Sequence, residues 1–133
     1  MGRTKTIFIV VALMTVLSAG AALAASPIIG TDAGEQITGT KKAEEIRGLG
    51  GGDEITDGLG KDFVYGSEGS DNLIGYGGDT SVDRFYGGAG NDTVQSRDVP
   101  AVKDRVRCGP GVDRVYADKA DVVSRDCERV RAS

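Results

Sequence analysis

From residue 35 to residue 123 the chain returns ten times to one phrase: an acidic residue, any residue, then an apolar residue. The pairs are Glu35/Ile37, Glu44/Ile46, Asp53/Ile55, Asp62/Val64, Asp71/Leu73, Asp83/Phe85, Asp92/Val94, Asp104/Val106, Asp113/Val115 and Asp121/Val123. Successive acids lie 9, 9, 9, 9, 12, 9, 12, 9 and 8 residues apart, and Gly-rich runs precede most of them. A sustained period of this length marks a repeat architecture, in which each unit stacks on its neighbours. Each acid-x-apolar step predicts a short strand with one apolar side chain turned inward, and each Gly-rich run predicts a tight turn before it. A carboxylate delivered at every turn of a stack forms a column of like charges, which needs a cation to neutralise it.

Two units complete a longer pattern, G-x-x-G-x-D-x-U-x with U apolar: residues 66–74, with Gly66, Gly69, Asp71 and Leu73, and residues 87–95, with Gly87, Gly90, Asp92 and Val94. Residues 48–56, 57–65 and 108–116 lie close to it. With these units in phase, about residues 30–124 resemble the repeats-in-toxin (RTX) family, whose hemolysin-type nonapeptide GGxGxDxUx builds a calcium-binding parallel β-roll. The resemblance implies an all-β chain, a parallel β-roll (β-solenoid) of about ten nonapeptide half-turns, with Ca2+ held in the turns. It implies Asp53, Asp62, Asp71, Asp83, Asp92 and Asp113 as the metal ligands. Family members usually join the roll to a protease, lipase, cyclase or pore-forming domain and leave the cell through a C-terminal signal. This chain shows no second domain and opens on an N-terminal leader, so toxin activity does not carry over.

Elementary chemistry agrees with calcium. Glycine permits the positive φ and close backbone approach that let Gly-x-x-Gly gather carbonyls toward one point. Calcium takes six to eight oxygens, and backbone carbonyls can supply most of them. The alternative is an Asx-type turn in which each aspartate only caps the backbone. The chain has no His and no Trp, which removes the commonest general base and transition-metal ligand and argues against zinc or copper chemistry. No nucleophile–base pair is visible, and carboxylate pairs occur because the repeat places them. The chain is therefore read as a binding protein and not an enzyme.

In a β-roll each nonapeptide is half a coil, so turns two units apart stack on one edge. Glu35, Asp53, Asp71, Asp92 and Asp113 share the first edge, which keeps most glycines and is expected to be the better calcium edge. Glu44, Asp62, Asp83, Asp104 and Asp121 share the second, which also receives both three-residue expansions, residues 75–83 and 96–104. Asp79 and Asp98 lie inside these expansions. They read either as further ligands or, preferably, as solvated turn residues. The turn before Asp104 has no Gly, and the unit at residues 39–47 carries Lys41 and Lys42 with Glu44 at the acid position. Calcium is doubtful in both.

The outward positions also form ladders. One sheet shows Glu45, Phe63, Arg84 and Arg105 beside Arg47, Tyr65, Tyr86 and Arg107. The other shows Gln36, Glu54, Asn72, Thr93 and Arg114 beside Thr38, Thr56, Ile74, Gln95 and Tyr116. The rings of Phe63, Tyr65 and Tyr86 among arginines suit an extracellular polysaccharide or protein partner. Cross-strand packing of an exposed sheet is the plainer reading.

The start of the chain reads as a signal peptide, residues 1–25: Arg3 and Lys5, an apolar stretch over 7–17, then Ala22-Leu23-Ala24 before a cut after Ala24 or Ala25. An uncleaved anchor is the alternative, since residues 7–25 carry no charge. Cleavage leaves no expected membrane span and a secreted, extracellular protein. Loss of that leader leaves 14 basic against 20 acidic residues, a balance that argues against a nucleic-acid partner. Cys108 and Cys127 make an even pair in an exported chain, which favours a disulfide. A redox pair is the alternative, but the eighteen residues between them are not Cys-x-x-Cys spacing. The expected organisation is therefore a signal peptide (1–25), divergent N-terminal repeats (26–47), calcium-binding repeats (48–116) and a disulfide-pinned C-terminal cap (117–133). The primary reading is a secreted calcium-binding protein whose fold is driven by Ca2+. The alternative is an adhesion or carbohydrate-binding module in which calcium is only structural.

Overall fold

A computed structural model describes residues 26–133. The expected signal peptide lies outside the described residues. Twelve short strands follow one another: β1 (Ile28–Ile29), β2 (Gln36–Thr38), β3 (Glu45–Leu49), β4 (Glu54–Thr56), β5 (Phe63–Glu68), β6 (Asn72–Ile74), β7 (Arg84–Ala89), β8 (Thr93–Gln95), β9 (Arg105–Arg107), β10 (Arg114–Ala117), β11 (Val122–Val123) and β12 (Arg129–Ala132). The odd-numbered strands form one six-stranded sheet in chain order and the even-numbered strands form the other. Every pairing is parallel. The chain thus winds a two-sided solenoid and moves up one strand position per coil.

The winding has twelve half-turns, two more than the ten expected. The additional strands are β1, which no acid precedes, and β12. The β12 unit does carry the phrase, as Glu128-Arg129-Val130, but its acid comes only seven residues after Asp121. That slip hides it from a nine-residue period. The segment after residue 117 supplies β11 and β12, the last strand of each sheet.

One side chain per half-turn fills the interior. Ile37, Ile46, Ile55, Val64, Leu73, Phe85, Val94, Val106 and Val115 are all buried, and they continue into Cys108, Ala117 and Cys127. Register is set by this inward residue: Ile55 lies opposite Leu73, and Val64 opposite Phe85. A one-residue slip would turn every such side chain to solvent. The outward ladders follow with the expected partners, Phe63 with Arg84, Tyr65 with Tyr86, and Arg84 with Arg105.

Both expansions bulge from the same edge and stack on each other. The N–H of Asp79 donates to the Tyr76 carbonyl at 3.0 Å and closes the first expansion, and the N–H of Val99 donates to the Gly77 carbonyl at 3.0 Å and links the second to it. At the far end a disulfide joins Cys108 to Cys127, with Cα atoms 5.2 Å apart. Cys127 stands two residues before β12, so the bond ties the last turn to the coil beneath it.

The core is one side chain thick, so single losses should be costly. Leu73→Ala is expected to lower stability by about 2–5 kcal/mol. Replacing both cysteines by serine should cost about 3 kcal/mol, as expected for a closed loop of this length. Urea midpoints of the oxidised chain and the two variants check both values. A cysteine-free chain as stable as the parent would show that the last coil needs no pin.

Candidate metal centre

Each repeat acid stands just before its strand and reaches along the solenoid axis toward the preceding coil. On the edge that feeds the even strands, the N–H of Glu35 donates to Oδ1 of Asp53 at 2.9 Å, and that of Asp53 to Oδ1 of Asp71 at 2.8 Å. The N–H of Asp71 donates to Asp92 at 2.9 Å, that of Asp92 to Asp113 at 2.7 Å, and that of Asp113 to Oε2 of Glu128 at 2.8 Å. The other edge repeats the device from Glu44 to Asp62, Asp83, Asp104 and Asp121. Of the six aspartates read from the sequence, Asp53, Asp71, Asp92 and Asp113 share one ladder and Asp62 and Asp83 the other. All six are buried.

The Asx-cap reading accounts for one carboxylate oxygen but not for the second. Oδ2 of Asp53, Asp62, Asp71, Asp92 and Asp113 is buried without any hydrogen-bond partner. Among the described residues the single ion pair, Arg47 with Glu45, lies on the outer face and does not help them. A buried carboxylate oxygen with no donor is costly unless it is protonated or meets a cation. The turn glycines make room for these oxygens. A Cβ on Gly48 or Gly66 would overlap Oδ2 of Asp53 or Asp71, five residues onward in the same turn. Gly69 and Gly90 have positive φ and lie so close to the carbonyls of Gly51 and Gly69 in the coil below that a Cβ would overlap them. The edge is therefore lined by carboxylate and carbonyl oxygens, a donor set that suits a hard cation.

The two glutamates behave differently. Glu35 turns both oxygens onto Thr31, accepting from its N–H and its hydroxyl at 2.8 Å each. Glu44 does the same with Thr40 at 2.6 Å. The extra methylene lets the side chain reach back across its own turn, so these first turns close on themselves. The repeated Gly-Thr-x-x-x-Glu at residues 30–35 and 39–44 carried that signal.

The expansions require a correction. Asp79 and Asp98, preferred as solvated turn residues, are both buried. Asp79 accepts from the N–H of Ser81 at 2.9 Å and from Gly60 of the coil below at 2.6 Å, so it anchors the expansion. The N–H of Asp98 donates to Asp118 at 2.8 Å, and Oδ2 of Asp98 has no partner. The sequence reading also passed over Asp57, which replaces the first turn glycine of its unit. It lies beside Asp62 and Asp83, with an oxygen from each of the three within 4.8 Å of the others. This group falls on the glycine-poorer edge and not on the edge expected to be the better one.

Electrostatics follow the geometry. Burial raises the carboxyls of Asp53, Asp92 and Asp113, pushes those of Asp71 and Asp83 up to about 6, and pushes Asp62 and Asp104 to about 7 and Asp57 to about 8. The backbone N–H that each one accepts opposes the rise, and neighbouring acids reinforce it. Asp79 goes the other way: burial would raise it, but donors from Ser81, Gly60 and Thr80 together hold it below the usual range.

The outer face of the odd sheet offers less to a ligand. Tyr65 and Tyr86 stack with centroids 4.7 Å apart, the Arg84 guanidinium lies 4.9 Å from the Phe63 centroid, and that of Arg47 lies 5.3 Å from Tyr65. The chain's own side chains cover much of these ring faces, which is cross-strand packing.

The family model described as the RTX calcium-binding nonapeptide repeat (4 copies) matches residues 47–82 and 78–96. No curated protein and no solved structure matches the chain.

The raised carboxyls set a pH dependence in the absence of divalent cations. A carboxyl whose pKa is higher folded than unfolded favours folding below its unfolded value, near 4, and loses that contribution as pH rises through its folded value. With folded values of about 6 to about 8 at Asp71, Asp83, Asp62, Asp104 and Asp57, the loss should fall between pH 4 and 8. In chelator the far-UV β signal should therefore be stronger near pH 4.5 than near pH 8. A flat or rising profile would mean the ladder carboxyls are neutralised by something other than protons.

Proposed function

We propose, from the premise that residues 47–96 carry RTX calcium-binding nonapeptide repeats, that this protein is an extracellular calcium-binding roll whose ladder aspartates hold Ca2+ and whose folding depends on it. The observation that carries the reading is the row of buried Oδ2 atoms without donors along both edges. Asp53, Asp62, Asp71, Asp83, Asp92 and Asp113 would hold the ions, helped by turn carbonyls drawn close at Gly51, Gly69 and Gly90. When bound, calcium supplies the positive charge the columns lack. The chain's own residues do the rest: glycines admit the oxygens, ladder N–H groups orient each carboxylate, and apolar residues keep the axis dry. An affinity of roughly 10⁻⁴ to 10⁻³ M suits an extracellular module, so folding would follow export.

Binding and folding are coupled because the unfolded chain offers no gathered site. Far-UV circular dichroism of the oxidised chain, titrated with calcium after chelation at about pH 7.5, should show a cooperative gain of β signal that magnesium does not reproduce. Asp71→Asn with Asp92→Asn should raise the calcium midpoint by about tenfold or more, since each removes a charged ligand. A complete β spectrum in chelator, unchanged by calcium, would overturn the reading and return attention to the Phe63, Tyr65 and Tyr86 face.

A further inference from the structure

The turn from Asp57 to Asp62 differs from the other turns of the roll. In the turns that start at Gly48, Gly66 and Gly87 the first position is glycine, and there a Cβ would meet the repeat aspartate of the same turn. At residue 57 a carboxylate takes that place. Its backbone is held by the next coil, with its N–H donating to the Ile74 carbonyl at 3.1 Å, and its Oδ1 accepts from the N–H of Tyr76 at 2.8 Å. The side chain is thus aimed, and its Oδ2 is buried with no partner.

Asp62 and Asp83 complete the group. Asp62 accepts at Oδ1 from the N–H of Glu44 at 2.7 Å, and its Oδ2 is also buried without a partner. Asp83, in the coil above, accepts at Oδ1 from the N–H of Asp62 at 2.8 Å. One oxygen from each of the three carboxylates lies within 4.8 Å of the others, the single such group among the described residues. The charged neighbours Glu44, Asp79, Asp98 and Asp104 are acids as well. Three carboxylates gathered in a buried place repel strongly unless protons or a cation neutralise them. Two separate observations therefore point to an ion: the convergence of three side chains, and a buried oxygen without a donor on two of them.

We propose that Asp57, Asp62 and Asp83 form a distinct three-carboxylate site for a calcium-sized cation, the tightest in the roll, created by a carboxylate in place of the turn glycine. The proposal rests on the calcium-binding reading above but makes a separate claim about this one turn. Affinity in oxygen-ligand sites rises with the number of charged ligands. This site brings three side-chain carboxylates together from two stacked turns, whereas two stacked regular turns, such as those of Asp53 and Asp71, bring two.

The test is calorimetric titration of the oxidised chain with calcium, and with terbium(III) as a second probe of similar ionic radius, for the parent, Asp57→Asn, Asp57→Gly and Asp71→Asn. In the parent, one equivalent should bind about tenfold or more tighter than the remainder, given the higher charge count. Asp57→Asn and Asp57→Gly should abolish that equivalent and leave the later, cooperative calcium-dependent rise in β signal in place. Asp57→Gly installs the residue that starts the turns at Gly48, Gly66 and Gly87, so it guards against a merely misfolded variant. Unchanged stoichiometry and affinity in both Asp57 variants would overturn the site, as would loss of the tight equivalent in Asp71→Asn but not in Asp57→Asn. If the tight equivalent depends on Asp57 while the β signal ignores calcium, the site stands and calcium-driven folding falls. No metal binding at all would sink both.

Discussion

Everything in this roll depends on carboxylates stacked at the spacing of a parallel sheet. Neighbouring strands lie about 4.8 Å apart, and a repeat that starts each strand with an acid must bring those acids to nearly the same spacing. The backbone resolves half of the difficulty. Each aspartate accepts the N–H of the acid one coil earlier, as Asp71 does from Asp53, so the acids both orient one another and continue the ladder that joins the coils. The second oxygen is left over. That leftover turns a β-solenoid into a candidate cation binder.

Glycine makes the arrangement geometrically possible. Gly48, Gly66 and Gly87 must be bare because the aspartate five residues onward folds over them, and Gly69 and Gly90 must be bare because a carbonyl of the coil below presses against them. Binding chemistry and stacking thus draw on the same residues. A substitution at such a glycine would disturb the oxygen cage and the coil spacing together. With only one inward side chain per half-turn, the hydrophobic interior contributes too little to tolerate that.

The ends and edges of the roll are handled differently from its middle. The first two turns use glutamate, which closes onto Thr31 and Thr40 and leaves no oxygen over. The last turn is pinned by Cys108–Cys127 and lets Glu128 continue the ladder above Asp113. Between them, the expanded turns gather Asp57, Asp62, Asp79, Asp83, Asp98 and Asp104 on one edge. The two edges are therefore chemically unequal although they are built by one repeat.

The sequence alone determined the repeat, the parallel roll, the inward residue of nearly every strand and the outward ladders. All of these follow from period and alternation, and a period survives any local irregularity. It also carried the eight ladder aspartates, because each stands at a fixed offset from an apolar residue. It did not reveal β1, which no acid precedes, or β12, whose acid comes only seven residues after Asp121. Nor did it reveal that Asp79 and Asp98 are buried, since a residue inside an insertion has no phase to read. Asp57 was hidden for a related reason. It stands where the repeat has glycine, so within one unit it looks like a lost turn residue. Only stacking, which lays Asp83 of the next coil beside Asp57 and Asp62 across twenty-one residues of chain from Asp62, makes it one of three converging carboxylates. Contacts within a unit can be read from spacing, but contacts between coils depend on how far each expansion bulges, and packing decides that.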